Sequence, residues 1–358
     1  MKMAFRWYGA QNDTVKLKEI RQIPGMKGIV GGLHDLPAGV IWQKEDIKQL
    51  KEEVESAGLE LKVIESVNVH EDIKLGLPSR DAYIENYKQT IRNLAEFGIE
   101  VICYNFMPVF DWIKTNMYYE LPDGSITLAF EAKGIEKSPD QIVKEVQKAS
   151  GELELPGWEK ERLADVMTLL KQYEGVDDDQ LRENFQYFLE QIIPICEEVG
   201  VKMGVHPDDP PYSIFGLPRV VKNREDLDWI CNIVDSEYNG ISLCTGSIAE
   251  DPQNDVYEIA AEFSKRNRIF FAHVRNIKFI GDRDFYEAPH LSSEGDLDML
   301  KIMKSLYEND FDGYVRPDHG RMIWGEQARH GYGLYDRALG ASYLLGLWEG
   351  IIKTKGAK

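Results

Sequence analysis

The sequence predicts a single (β/α)₈ TIM barrel, on three observations. Eight short β-branched or aromatic runs recur along 358 residues, amphipathic segments alternate with them, and no glycine-rich phosphate loop follows any run. Continuous apolar runs separated by helices imply a parallel sheet covered on its outer face, and eight such units imply closure. A doubly wound open sheet is the structural alternative, but it lacks its usual GxGxxG warrant.

The strand candidates, in order, are 4–8, 28–31, 61–66, 101–106, 202–206, 241–244, 269–274 and 314–318. Between the second and third, Ile47, Leu50, Val54 and Ala57 recur at helical spacing and Gly58 supplies the stop. Between the fourth and fifth there is far more chain than the roughly 30 residues a βα unit needs. An insertion over about 110–178 accounts for it. It should open with a hairpin over 118–130 turning on Pro122-Asp123-Gly124, continue through helical stretches near 140–149 and 159–173, and end where Asp177–Asp179 cap a long helix closing near Gly200. Leaving the C-terminal end of a strand, the insertion is expected on the catalytic face, as a lid or a dimer contact. An apolar helix over 334–353 completes the chain.

Composition narrows the partners. A formal net charge of −19 argues against nucleic acid or an anionic membrane, both of which need a positive footprint. A metal-dependent nuclease on this fold is disfavoured for the same reason. No stretch of about 18 uncharged apolar residues suggests a membrane span, the N-terminus has no signal profile, and the four cysteines have no CxxC spacing, so a cytoplasmic location is expected. An anionic small substrate remains open if a metal or buried arginines make the pocket locally positive.

Four consecutive strand ends carry His206, Cys244, His273 and Asp318, spaced 38, 29 and 45 residues apart. Each residue alone has a bland reading. A lone buried cysteine is usually an inert small hydrophobe, a lone histidine a satisfied barrel residue, and a lone aspartate a cap or ion-pair partner. Their coincidence at successive strand ends brings two imidazoles, a thiolate and a carboxylate to one point. That donor set suits Fe²⁺, Mn²⁺ or Zn²⁺ and is poor for Mg²⁺ or Ca²⁺. Cys103, Cys196 and Cys231 keep the bland reading. Arg6, Trp7, Tyr8, His34, Glu65, His70 and Asn105 collect at the other strand ends, with Tyr332 and Arg337 in the loop after the eighth. Arg275 is the best candidate to grip a carboxylate, because a guanidinium fork can hold both oxygens.

The chain resembles the D-mannonate dehydratase family from end to end. The strings that carry the resemblance are Phe5-Arg6-Trp7-Tyr8-Gly9, Arg21-Gln22-Ile23-Pro24-Gly25, His70-Glu71-Asp72-Ile73-Lys74, Val205-His206-Pro207-Asp208-Asp209-Pro210, Cys244-Thr245-Gly246-Ser247, His273-Val274-Arg275-Asn276 and Arg316-Pro317-Asp318-His319-Gly320. The resemblance implies a xylose-isomerase-like barrel, Mn²⁺ or Fe²⁺ as cofactor, and loss of water from D-mannonate to give 2-dehydro-3-deoxy-D-gluconate in glucuronate breakdown. It implies His206, Cys244, His273 and Asp318 as metal ligands and His319 and Tyr332 as the catalytic pair. His70, Arg275 and Asn276 would contact the sugar acid, joined by Arg6 and Trp7, in a homodimer or larger homo-oligomer. Histidine as a residue type exchanges its proton near neutral pH, which suits His319 to the base, whereas a tyrosine, at about 10, suits the acid. A sugar isomerase or epimerase on the same barrel is the nearest rival, since the fold does not fix the reaction. Those chemistries usually rely on more carboxylate ligands. A non-catalytic metal-stabilised scaffold would not need Arg275, His319 and Tyr332 beside the same strand ends.

Overall fold

A computed structural model describes residues 1–136 and 166–355 of the chain. Its strands are β1 (Lys2–Arg6), β2 (Met26–Gly31), β3 (Glu60–Glu65), β4 (Val101–Tyr104), β5 (Asn116–Glu120), β6 (Ile126–Phe130), β7 (Lys202–Val205), β8 (Asn239–Cys244), β9 (Ile269–Val274), β10 (Asn276–Phe279), β11 (Phe285–Ala288) and β12 (Tyr314–Pro317). Eight of them, all parallel, close a barrel in the order β1-β12-β9-β8-β7-β4-β3-β2. These are the eight expected strands. The first begins two residues earlier than its hydrophobic run and ends at Arg6, so Trp7 and Tyr8 lie in the loop beyond it.

Helices cover the outside. The helix Lys44–Ser56 buries Ile47, Leu50 and Val54 and leaves its charged face in water, as its 3.6-residue periodicity requires. Asp177 caps the helix Asp178–Val199 by accepting from the Gln180 amide, and Gly200 ends it at φ +76°, a conformation that glycine adopts without strain. The last helix, Tyr335–Lys355, buries Gly340, Ala341 and Leu344 and packs on β12 and on the helix Met299–Glu308.

The two ends of the barrel interior differ in kind. Toward the strand N-termini it is filled by Ala4, Val30, Val63, Val101, Cys103, Phe270, Phe271 and Tyr314, a layered apolar plug. Toward the C-termini it is polar and open.

The expected hairpin is present as β5 and β6, with Gly124 at φ +80° and Asp123 accepting from the Ser125 amide in the turn. The sequence reading did not anticipate its partner. The loop after β9 forms a second hairpin, β10–β11, and the two join as a four-stranded antiparallel sheet through Phe130 opposite Phe285 and Ala129 opposite Tyr286. Each of β10 and β11 is only 4 residues long, too short for alternation to be read from sequence. Of the expected helical stretches, 140–149 lies outside the described residues. The other is seen over its described part as Val166–Gln172.

Candidate active site

Register explains why the four strand-end donors meet. Cys244 pairs directly with His273, and His273 with Arg316, so Asp318 emerges just past the end of β12 beside both. His206 follows β7, the neighbour of β8. One ligand atom from each of His206, Cys244 and His273 lies within 4.8 Å of the others. Asp318 Oδ2 is 3.5 Å from Cys244 Sγ, and Asp318 Oδ1 is 3.7 Å from His273 Nδ1. His206 Nδ1 sits 2.6 Å from the Pro207 carbonyl, which can only accept, so Nδ1 donates and Nε2 keeps the free lone pair a metal needs. Burial alone would raise the Asp318 carboxyl, but Arg316, His319, His273 and Arg275 hold it well below the usual carboxylate range. Two imidazoles, a sulfur and an ionised carboxylate at these separations fit a divalent transition ion. A second group, Glu65, Cys103 and His273, is equally compact. Burial, reinforced by Glu65, pushes the Cys103 thiol up, which keeps it protonated and a poor ligand.

The pocket above these donors is lined by Arg6, His34, Glu65, Asn105, Trp112, Arg316, His319 and Tyr332 among others. His319 Nε2 is 2.8 Å from the Tyr332 hydroxyl, and His319 Nδ1 faces both oxygens of Glu287 at 2.9 and 2.8 Å. Burial, with Tyr8 and Asp318 adding to it, raises the Tyr332 phenol well above its ordinary value, so it stays protonated. The buried Arg337 donates to the Gly333, Tyr332 and Arg6 carbonyls, tying the Tyr332 loop to the end of β1. Arg6 donates to His34 Nε2 at 3.1 Å and lies over the Tyr8 ring.

A family model described as D-mannonate dehydratase (UxuA) matches residues 1–358. The chain belongs to the D-mannonate dehydratase family. A mannonate dehydratase of Lactococcus lactis subsp. cremoris is 68% identical over 99% of this chain and 100% of its own length. The crystal structure of mannonate dehydratase from Streptococcus suis serotype 2 superposes with a TM-score of 0.89 at 48% identity, covering 100% of this chain and 97% of that one. A xylose isomerase domain protein from Alicyclobacillus acidocaldarius shares the fold alone, with a TM-score of 0.53 at 11% identity over 98% of each chain. The barrel is of the xylose-isomerase-like type.

Within this D-mannonate dehydratase family member, several residues expected to hold substrate stand elsewhere. Arg275 is 1% exposed and engaged within the chain: Nη1 donates to Glu287 at 2.9 Å, Nη2 to Asp209 at 2.7 Å and Glu250 at 3.0 Å, and Nε, which makes no hydrogen bond, is ion-paired with Asp318 at 3.0 Å. A fork already spent on four carboxylates of its own chain has none left for a ligand. The Cys244-Thr245-Gly246-Ser247 string serves this arginine. Thr245 Oγ exchanges hydrogen bonds with its backbone, and a Cβ on Gly246 would come within 2.5 Å of the guanidinium. Ser247 donates to Cys244 Sγ at 3.0 Å. Asn276 is buried, its side chain holding Leu291, Ile277 and Leu297. Trp7 is core, its indole donating to the Val15 carbonyl. His70 caps the short helix Glu71–Lys74 and stacks on Tyr83, apart from the pocket lining. Arg6, by contrast, does line it.

Sequence reasoning missed Arg316, Trp112 and Glu287. Arg316 was visible inside its motif string, pointing into the barrel two residues before Asp318. Glu287 lies on a strand that no pattern announced.

Proposed function

We propose that the chain removes water from D-mannonate to give 2-dehydro-3-deoxy-D-gluconate, in cytoplasmic breakdown of hexuronates such as glucuronate, with Mn²⁺ or Fe²⁺ held by His206, Cys244, His273 and Asp318. Family membership makes it a hydro-lyase acting on a sugar acid. The observation that carries the finer reading is the adjacency of the four-donor cluster and the His319–Tyr332 pair over one pocket. Bound there, a divalent ion would supply Lewis acidity toward the carboxylate and hydroxyl oxygens of the substrate.

The protein's own groups do the rest. Elimination requires loss of the C2 proton, weakly acidic beside a carboxylate, and loss of hydroxide from C3. His319 takes the C2 proton on Nε2, and Tyr332, protonated at the outset, gives its phenolic proton to the departing C3 hydroxyl. Both groups stand on one side of the pocket, so one contact pair handles both protons. The resulting enol tautomerises to the 2-keto acid. Arg6 and Arg316 line the pocket and Arg275 does not, so the substrate carboxylate is assigned to this side rather than to Arg275. The insertion contributes Asp111 and Trp112 to the pocket wall, which supports a covering role for it. Exposed Trp324, 75% accessible beside Tyr335, supports assembly into a homodimer or larger homo-oligomer.

The test is to strip the protein with chelator, restore Mn²⁺, Fe²⁺, Zn²⁺ or Mg²⁺ separately, and follow formation of a 2-keto-3-deoxy acid from D-mannonate. Product with Mn²⁺ or Fe²⁺ is expected. A folded, metal-loaded protein that forms none would move the reaction to another sugar acid or to isomerisation.

A further inference from the structure

Glu287 sits on β11 in the sheet built outside the barrel, yet its carboxylate reaches His319. Its position is over-determined. The backbone carbonyl accepts from Thr127 Oγ on β6 at 2.6 Å, one oxygen accepts from Arg275 at 2.9 Å, and Lys114 approaches to 3.9 Å. Burial alone would raise this carboxyl, but His319, Arg275 and Lys114 outweigh it and hold Glu287 below the usual carboxylate range. An ionised carboxylate has no hydrogen to give. With both oxygens within 2.9 Å of Nδ1, the hydrogen of a neutral His319 ring must therefore reside on Nδ1. The lone pair is left on Nε2, and the 2.8 Å contact there is the Tyr332 hydroxyl donating to nitrogen.

We propose that Glu287 is the positioning residue of the site: it selects the Nδ1–H form of His319, so that Nε2 is the atom that accepts the substrate proton and Tyr332 enters the reaction protonated. Glu287 is not in the pocket lining and acts only through His319. What the Nε2 lone pair accomplishes rests on the dehydration reading above; the placement of the ring hydrogen does not. The arrangement also gives the added sheet a task. By pairing β11 with β6 it holds one carboxylate at a fixed distance behind the base, as a third group orients a catalytic imidazole in other enzymes.

A carboxylate that merely neutralised Arg275 and Lys114 would affect stability alone, so the experiment reads the ring itself. The chain has seven histidines, few enough to resolve after ¹⁵N-histidine labelling. Two-bond ¹H–¹⁵N correlations on the Zn²⁺-loaded protein, with His319 identified by its loss in His319→Asn, should give a hydrogen-bearing Nδ1 and a lone-pair Nε2. In Glu287→Gln the amide can donate as well as accept, the preference should vanish, and kcat on D-mannonate should fall by roughly 100-fold or more with KM nearly unchanged. A wild-type His319 protonated at Nε2, or a folded Glu287→Gln with wild-type kcat, overturns the proposal. If Glu287→Gln does not fold, the wild-type spectrum decides alone. If D-mannonate is not turned over while the ring shows Nδ1–H, the dehydration reading fails and this one stands.

Discussion

The two walls of the site are built by different means. One consists of His206, Cys244, His273 and Asp318, each at the end of a parallel strand and brought to its neighbours by barrel register alone. The other consists of His319, Tyr332 and Trp112, carried by loops and supported from behind by Lys114, in the segment leading into β5, and by Glu287 of the antiparallel sheet outside the barrel. The barrel by itself gathers a set of donor atoms. Placing a proton-transfer pair over that set takes additional chain, because a side chain beyond a strand end is held only by what packs behind it. The walls should therefore be separable by mutation.

His319→Asn breaks the second wall with the largest expected effect. Turnover should fall by a factor on the order of 10² to 10⁴, the usual worth of a positioned acid or base, while bound metal measured by elemental analysis stays at the wild-type level. Cys244→Ser is the reciprocal experiment, lowering metal occupancy first and recovering part of its activity when excess metal is supplied. If His319→Asn also lost its metal, or if excess metal restored none of the activity of Cys244→Ser, the two walls would be one unit and the comparison would fail.

Arg275 is the place where they touch. Its guanidinium contacts Asp318 of the first wall and Glu287 of the second, with Asp209 and Glu250 between. Arg275→Leu should leave several buried carboxylates uncompensated and cost about 3–5 kcal/mol of stability, read from denaturant unfolding, with metal affinity and turnover declining in parallel. A residue serving the substrate carboxylate would behave otherwise: KM would rise while unfolding stayed unchanged.

The same division decides what could be read from the sequence. The first wall was legible because a barrel spaces its strands by one βα unit, so four residues with donor atoms at successive strand ends had to converge. His319 was legible as the neighbour of Asp318. Tyr332 was legible only as a polar group in the loop after the eighth strand, and its catalytic role came through family resemblance, since nothing in a loop's sequence fixes where its side chain points. Arg275 was legible as important but not in its role. Its fork is satisfied by Asp209, Glu250 and Glu287, which lie 66, 25 and 12 residues away, and no local pattern encodes such pairings. Glu287 was invisible for a related reason: the pairing of β11 with β6 joins segments more than 150 residues apart, and β11 is too short to announce itself.

The smallest expected effect concerns the charge cluster between the walls. Lys114 and Arg275 are shared there by Asp209, Glu250 and Glu287, more carboxylates than cations. Asp209 and Glu287 are both held below their ordinary values, Asp209 by Lys114 and Arg275 against its burial. Glu250 takes the opposite course. Burial and the Asp209 charge push it up to about 8, and its Oε2 has no hydrogen-bond partner. The sign follows from linkage. Folded Glu250 keeps its proton to about pH 8, whereas an unfolded glutamate loses it near 4.3, so across that interval the folded state binds more protons and stability declines as pH rises. Glu250→Gln imitates the protonated form and removes the titration. Relative to the wild type, the variant should gain at most about 1.4 kcal/mol per pH unit between about pH 5 and pH 8, and nothing below that range. A variant less stable than wild type by a constant amount from pH 5 to 8 would mean that Glu250 is ionised and paired. In that case the proton that relieves the excess negative charge would have to sit elsewhere between the two walls, on Asp209 or Glu287.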